Sequence, residues 1–133
     1  MRLRRSAVGC VCLLLLGTLA SCAPTEEVES EVEEIVEEPI ETVEVRETEF
    51  RLEPAEITLD RPGTYAFRAV NDGDVTHALE IEGGGIEEET AEIGPGESAV
   101  LEVNLDPGTY VLYCPVGDHK ERGMDSTVTV EAG

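Results

Sequence analysis

Ala99, Leu101, Val103 and Leu105 recur at every second position, with Glu102 and Asn104 pointing the other way. Such a repeat places alternate side chains on opposite faces of an extended strand, so it specifies a half-buried β-strand and excludes an amphipathic helix. The same period runs through most of the chain after Thr42. Val43 and Val45 begin one stretch, and Phe50 and Leu52 continue it with the opposite parity, which predicts a bulge between them. Ile57 and Leu59, then Tyr65, Phe67 and Ala69, then Leu79 and Ile81, and finally Val128 and Val130 repeat the pattern. Tyr110 to Tyr113 is a continuous apolar run, which predicts a strand buried on both faces. Between these runs stand Asn71-Asp72-Gly73-Asp74, Gly83-Gly84-Gly85, Gly94-Pro95-Gly96 and Asp106-Pro107-Gly108, all turn chemistry. Seven to eight short strands and no helical pattern predict an all-β sandwich over residues 42–133. Pro62-Gly63-Thr64-Tyr65 is echoed by Pro107-Gly108-Thr109-Tyr110, which marks two similar entries from turn to strand.

The segment before the sandwich obeys different rules. Arg2, Arg4 and Arg5 precede an apolar run from Ala7 to Leu16, too short to span a bilayer, and the segment closes on Leu19-Ala20-Ser21-Cys22. Residues 1–21 therefore read as an export signal. Their last residues with Cys22 resemble the lipobox of bacterial lipoproteins, which implies lipidation of Cys22 and a location outside the cytoplasm on a bacterial-type membrane. Plain secretion and retention as a signal anchor are the alternatives. In residues 22–41 nine Glu lie between Glu26 and Glu41 with no basic residue, too few apolar groups to build a core. This composition predicts a disordered acidic tether, with a frayed helix ending before Pro39 as the alternative.

Of 133 residues, 30 are acidic and nine basic, a formal charge of −21 that excludes nucleic acid as a partner. Export also decides what the cysteines can do. Cys10 and Cys12 leave with the signal and Cys22 would carry lipid, so Cys114 is the single thiol of the mature domain and no disulfide can form within it. A lone exported thiol is a reactive or metal-bound one. The two histidines are His77 and His119, and Met124 is the one methionine besides Met1. Cys114 ends the apolar run, His119 follows five residues later, and Met124 five after that, so one loop can bring three soft or borderline donors together. His77 shares its parity with Leu79 and Ile81, at the edge of the core-facing side.

Each residue has an ordinary alternative: His77 in a turn, His119 exposed, Met124 filling a gap, Cys114 as a small buried hydrophobe. Together they match a thiolate and two imidazoles in a plane with a weak thioether on the axis, which suits both Cu(I) and Cu(II). Zinc gains little from the thioether and fits the set less well.

Residues from Pro107 through Tyr113-Cys114-Pro115-Val116-Gly117-Asp118-His119 to Gly123-Met124 closely resemble the copper loop of cupredoxins, the plastocyanin/azurin family, and Asp74-Val75-Thr76-His77 resembles that family's upstream histidine. The resemblance implies a Greek-key β-sandwich holding one type 1 copper ion on His77, Cys114, His119 and Met124. It further implies a non-enzymatic carrier of single electrons between redox proteins, such as a cytochrome-like partner or a membrane oxidase; with lipid on Cys22 this carrier is expected to be a membrane-held monomer. Copper storage or delivery is the alternative function. Two departures stand out. Many relatives carry Asn after the first histidine, where this chain has Ala78, so a side-chain brace between the copper loops is missing. Lys120, Glu121 and Arg122 follow His119 where relatives place an apolar patch, which predicts a more polar docking rim.

Overall fold

The alternation along Ser98–Leu105 survives intact in the three-dimensional structure, a computed structural model that describes residues 37–133: Leu101, Val103 and Leu105 turn inward while Glu102 and Asn104 face solvent. The export signal, Cys22 and most of the tether lie outside the described residues. Nine strands form two packed sheets, and no helix occurs among the described residues. In the first sheet β1 (Thr42–Thr48) lies between β2 (Arg51–Glu53) and β4 (Gly63–Asn71), and β7 (Ser98–Leu105) closes the far edge. In the second, β3 (Glu56–Leu59), β9 (Asp125–Val130), β8 (Gly108–Tyr113), β5 (Glu80–Gly83) and β6 (Ile86–Glu89) follow in that order. Two pairings are parallel, β1 with β4 and β3 with β9; the rest are antiparallel.

The sandwich expected from the periodicity is thus present, with nine strands in place of seven or eight. The difference comes from two short elements. The parity change between Val45 and Phe50 is not a bulge: the chain reverses, and β2 returns antiparallel along β1 with Thr48 opposite Arg51. Ile86–Glu89, too acidic to show an alternation, pairs with β5 across the Gly84-Gly85 turn. The apolar run at Tyr110 is likewise half-buried rather than covered on both faces, because in a two-layer fold its outer side faces water; Val111 is 37 % exposed.

Val45, Leu52, Phe67, Ala69 and Leu105 from one sheet meet Leu79, Ile81, Leu112 and Val128 from the other, all essentially without solvent contact. Each buried Leu, Ile or Phe contributes about 1.5–3 kcal/mol over its exposed state. The repeated Pro-Gly-Thr-Tyr turns have a shared purpose. Tyr65 Oη donates to the Arg61 carbonyl at 2.8 Å, and Tyr110 Oη donates to the Asp106 carbonyl at 2.9 Å. Both are tyrosine corners, in which a phenol reaches back four residues to fix the chain's entry into a strand. One corner opens β4 and the other β8, one in each sheet. Gly84, in the left-handed conformation, lies against the Tyr110 ring, where a Cβ would come within 3.0 Å of Oη.

Candidate metal centre

At the end of β8 the backbone keeps pairing for one more step, Cys114 N–H donating to Met124 O at 3.1 Å, before β9 begins. Between these residues the loop winds through tight turns. His119 N–H donates to Val116 O and Met124 N–H donates to His119 O, each at 3.1 Å. The fold-back anticipated from the spacing is therefore built by backbone bonds, and Met124 is placed beside Cys114 with its side chain fully buried. His77 arrives from the other side. It exchanges two backbone bonds with Ile93, 3.0 and 2.8 Å, which pin it just ahead of β5.

These anchors bring the donor atoms together. Cys114 Sγ lies 3.9 Å from His77 Nδ1 and 3.5 Å from His119 Nδ1, and one atom from each of the three residues falls within 4.8 Å of the others. A metal bonded at about 2.3 Å to sulfur and about 2.0 Å to nitrogen, with 120° between the bonds, separates these donors by roughly 3.7 Å. The observed pair brackets that value, so the sulfur and each imidazole are spaced to share a metal ion. His77 and Cys114 are buried, while His119 is only partly so.

Protonation follows the surroundings. Burial pushes the Cys114 thiol up, opposed by the backbone N–H groups of Ala78 and Val116, which face the sulfur and favour the thiolate; Glu47 and Glu92 raise it further. A cation in the pocket would supply the missing stabilisation. Burial lowers the pKa of His77, helped by His119, which keeps the imidazole neutral as a ligand must be.

Several supporting groups are not metal donors themselves. Asn71 donates through Nδ2 to the carbonyls of Val75 at 2.8 Å and Ile93 at 2.9 Å, and its Oδ1 accepts from Gly73 N–H at 2.9 Å. Glu49 Oε1 accepts from Asp74 N–H at 2.6 Å and Val75 N–H at 3.0 Å. These two residues hold the loop before His77, a task for which Ala78 offers no side chain. Phe50 packs edge-on against His119, ring centroids 4.8 Å apart. Turn composition at residues 71–74 was a visible clue to Asn71; nothing in the pattern marked Glu49 or Phe50. Glu47 is the third surprise. It continues the inward parity of Val43 and Val45, is fully buried, and has no partner for either carboxylate oxygen, so desolvation pushes its pKa to about 7.

The charged rim beside His119 is partly neutralised by packing. Lys120 Nζ sits 3.3 Å over the Tyr113 ring, 3.6 Å from Glu82, and the Arg122 guanidinium lies 3.4 Å over Phe50. Tyr113 in turn donates from Oη to Glu80.

Residues 10–130 match the family model of the cupredoxin-like domain. No curated protein matches the chain at a significant level. Among solved structures, auracyanin B is similar at 24 % identity with a TM-score of 0.64, covering 71 % of this chain and 91 % of its own. Auracyanin A, a "blue" copper protein of the green thermophilic photosynthetic bacterium Chloroflexus aurantiacus, gives 18 % identity, a TM-score of 0.59, and coverage of 68 % and 98 %. A multicopper oxidase of Campylobacter jejuni is similar at 14 % identity and a TM-score of 0.56, but the match takes up 31 % of that enzyme.

Proposed function

Since the chain belongs to the cupredoxin-like domain family, we propose that it is a type 1 copper protein that carries single electrons between redox proteins, held by lipid to the extracytoplasmic side of a bacterial-type membrane. The convergence of Cys114 Sγ with one nitrogen of each of His77 and His119, beside a buried Met124, is the observation that carries this reading. Cys114, His77, His119 and Met124 would hold the ion, and a copper ion on a thiolate, two imidazoles and a thioether would exchange single electrons.

The residues around the site suit that task. His77 and Cys114 sit under the sandwich and keep water from the sulfur, while His119 offers a ring edge to the surface for a partner to approach. Phe50 and the backbone bonds of residues 116–124 limit the rotation of that ring. The sequence holds two histidines and both belong to this cluster, leaving none for the second metal site that an oxidase reaction needs. An overall charge of −21 would steer partners with a cationic face. At the contact itself Lys120 and Arg122 provide a local basic rim.

Cu(II) added to the purified apo protein should yield an intense thiolate-to-copper absorption that Cys114→Ala abolishes. A colourless, loosely held ion in the unsubstituted protein would overturn the reading. Lipid attachment at Cys22 is supported by the end of the export signal, and the tether would then confine the carrier near membrane-bound partners. Intact mass of detergent-extracted protein should show the added acyl mass, and Cys22→Ser should release the protein into the soluble fraction.

A further inference from the structure

His77 has two ring nitrogens, and the copper reading uses one of them. Nδ1 faces the Cys114 sulfur; Nε2 points away, is fully buried, and lacks a partner at ordinary hydrogen-bond distance. When Nδ1 binds a cation, Nε2 must carry the proton, and a buried N–H with no acceptor costs about 1–3 kcal/mol. Glu49 Oε1 lies 3.5 Å from it.

That carboxylate is held there by independent means. Glu49 sits in the turn between β1 and β2, yet its Oε1 reaches across to the backbone N–H groups of Asp74 and Val75. Gly73 makes room for it: a Cβ on Gly73 would stand 2.4 Å from the same oxygen, and Gly73 is not among the glycines with left-handed φ. The absent side chain therefore serves the carboxylate rather than the backbone. Two amide donors converging on one oxygen are the surroundings of a hydrogen-bond acceptor, as a carboxylate is.

Resting on the copper reading, we propose that Glu49 is a positioning residue for the metal centre, accepting the Nε2 proton of His77 and setting the reduction potential low through a carboxylate–imidazole–copper series. The physical reason is charge. A fixed anion one imidazole away from the ion favours the more positive oxidation state and raises the basicity of the ligating nitrogen. Partial burial strengthens the effect, since the Glu49 side chain is 30 % exposed and the imidazole between them is dry. A carboxylate that merely pinned the loop would do so equally well as a neutral amide oxygen.

The test uses the copper-loaded chain. Glu49→Gln keeps an oxygen for the Asp74 and Val75 amides but removes the charge; Glu102→Gln removes the same charge from the exposed face of β7. Glu49→Gln should retain the blue absorption and shift the oxidised-to-reduced equilibrium at least tenfold toward Cu(I), about 59 mV for one electron, whereas Glu102→Gln should shift it several-fold less. Gly73→Ala, which displaces the carboxylate without removing it, should move the potential in the same direction, and it keeps the test available if Glu49→Gln does not fold. In the apo protein, long-range proton–nitrogen spectra should show His77 protonated on Nε2, with that preference weakened in Glu49→Ala. A blue wild type with the same potential in Glu49→Gln as in Glu102→Gln overturns the role of Glu49 and leaves the copper reading standing. A wild type that forms no blue site overturns both.

Discussion

The two ends of the sandwich have been built to opposite specifications. At the end where β4 and β8 begin, each entry is closed by a tyrosine corner, and the Tyr110 ring is covered by the Gly83-Gly84 turn. Polar groups there are paired and the packing is tight. At the end where β1, β4 and β8 finish, a thiol and two imidazoles crowd together, His77 Nε2 has a long contact as its best partner, and Glu47 is buried with no partner at all. The contrast shows where the fold's stability has been committed. One end supplies rigidity so that the other can hold groups that would by themselves weaken the structure.

Metal removal should break this contrast most visibly. An ion present at a thousandfold over its dissociation constant stabilises the folded chain by about 4 kcal/mol, so chelation should lower the melting temperature sharply. Cys114→Ala should erase that difference, leaving the variant no more stable with copper than without.

Next in size is the pH response of Glu47. Its folded pKa of about 7 lies above the ordinary carboxyl value of 4.5, so the folded state binds the proton more tightly than the unfolded chain does. Stability is fully present below pH 4.5 and is lost as pH rises through 7, by about 3 kcal/mol at 1.36 kcal/mol per unit. Denaturant titrations of the apo protein across that window should show the decline, and Glu47→Gln should flatten it.

At the opposite end the effects should be smaller and confined to stability. Tyr65→Phe and Tyr110→Phe each remove one hydrogen bond, worth about 1 kcal/mol. Because the two corners belong to different sheets, their costs should add in the double variant. Neither should move the reduction potential or the blue absorption. A shift in either property would mean that the two ends are mechanically coupled and the contrast false.

The sandwich was legible because burial in a two-layer fold imposes period two, and Ala99 to Leu105 and Ile57 to Leu59 carry that period plainly. Cys114 and His119 were legible because one loop joins them and few other soft donors exist. Parity placed His77 on the correct face. What stayed hidden depended on contacts between distant segments. Phe50 looks like one more apolar strand residue until the chain reverses at Thr48 and delivers its ring to His119. Glu49 looks like one of many surface acids until the same turn brings it to Gly73 and His77. The error over Tyr110 to Tyr113 has another origin: β-branched and aromatic residues suit either face of a strand, so an apolar run does not reveal how many layers cover it.

One of the two parallel pairings joins segments far apart along the chain. Residues 56–59 in β3 lie against residues 127–130 in β9. The second sheet cannot close until both segments are in place, and such long loops close slowly. Cys114, His119 and Met124, all within the connection from β8 to β9, are presented together by the pairing of those two strands, and His77 meets them when β5 lines up on β8 with Glu80 opposite Tyr113.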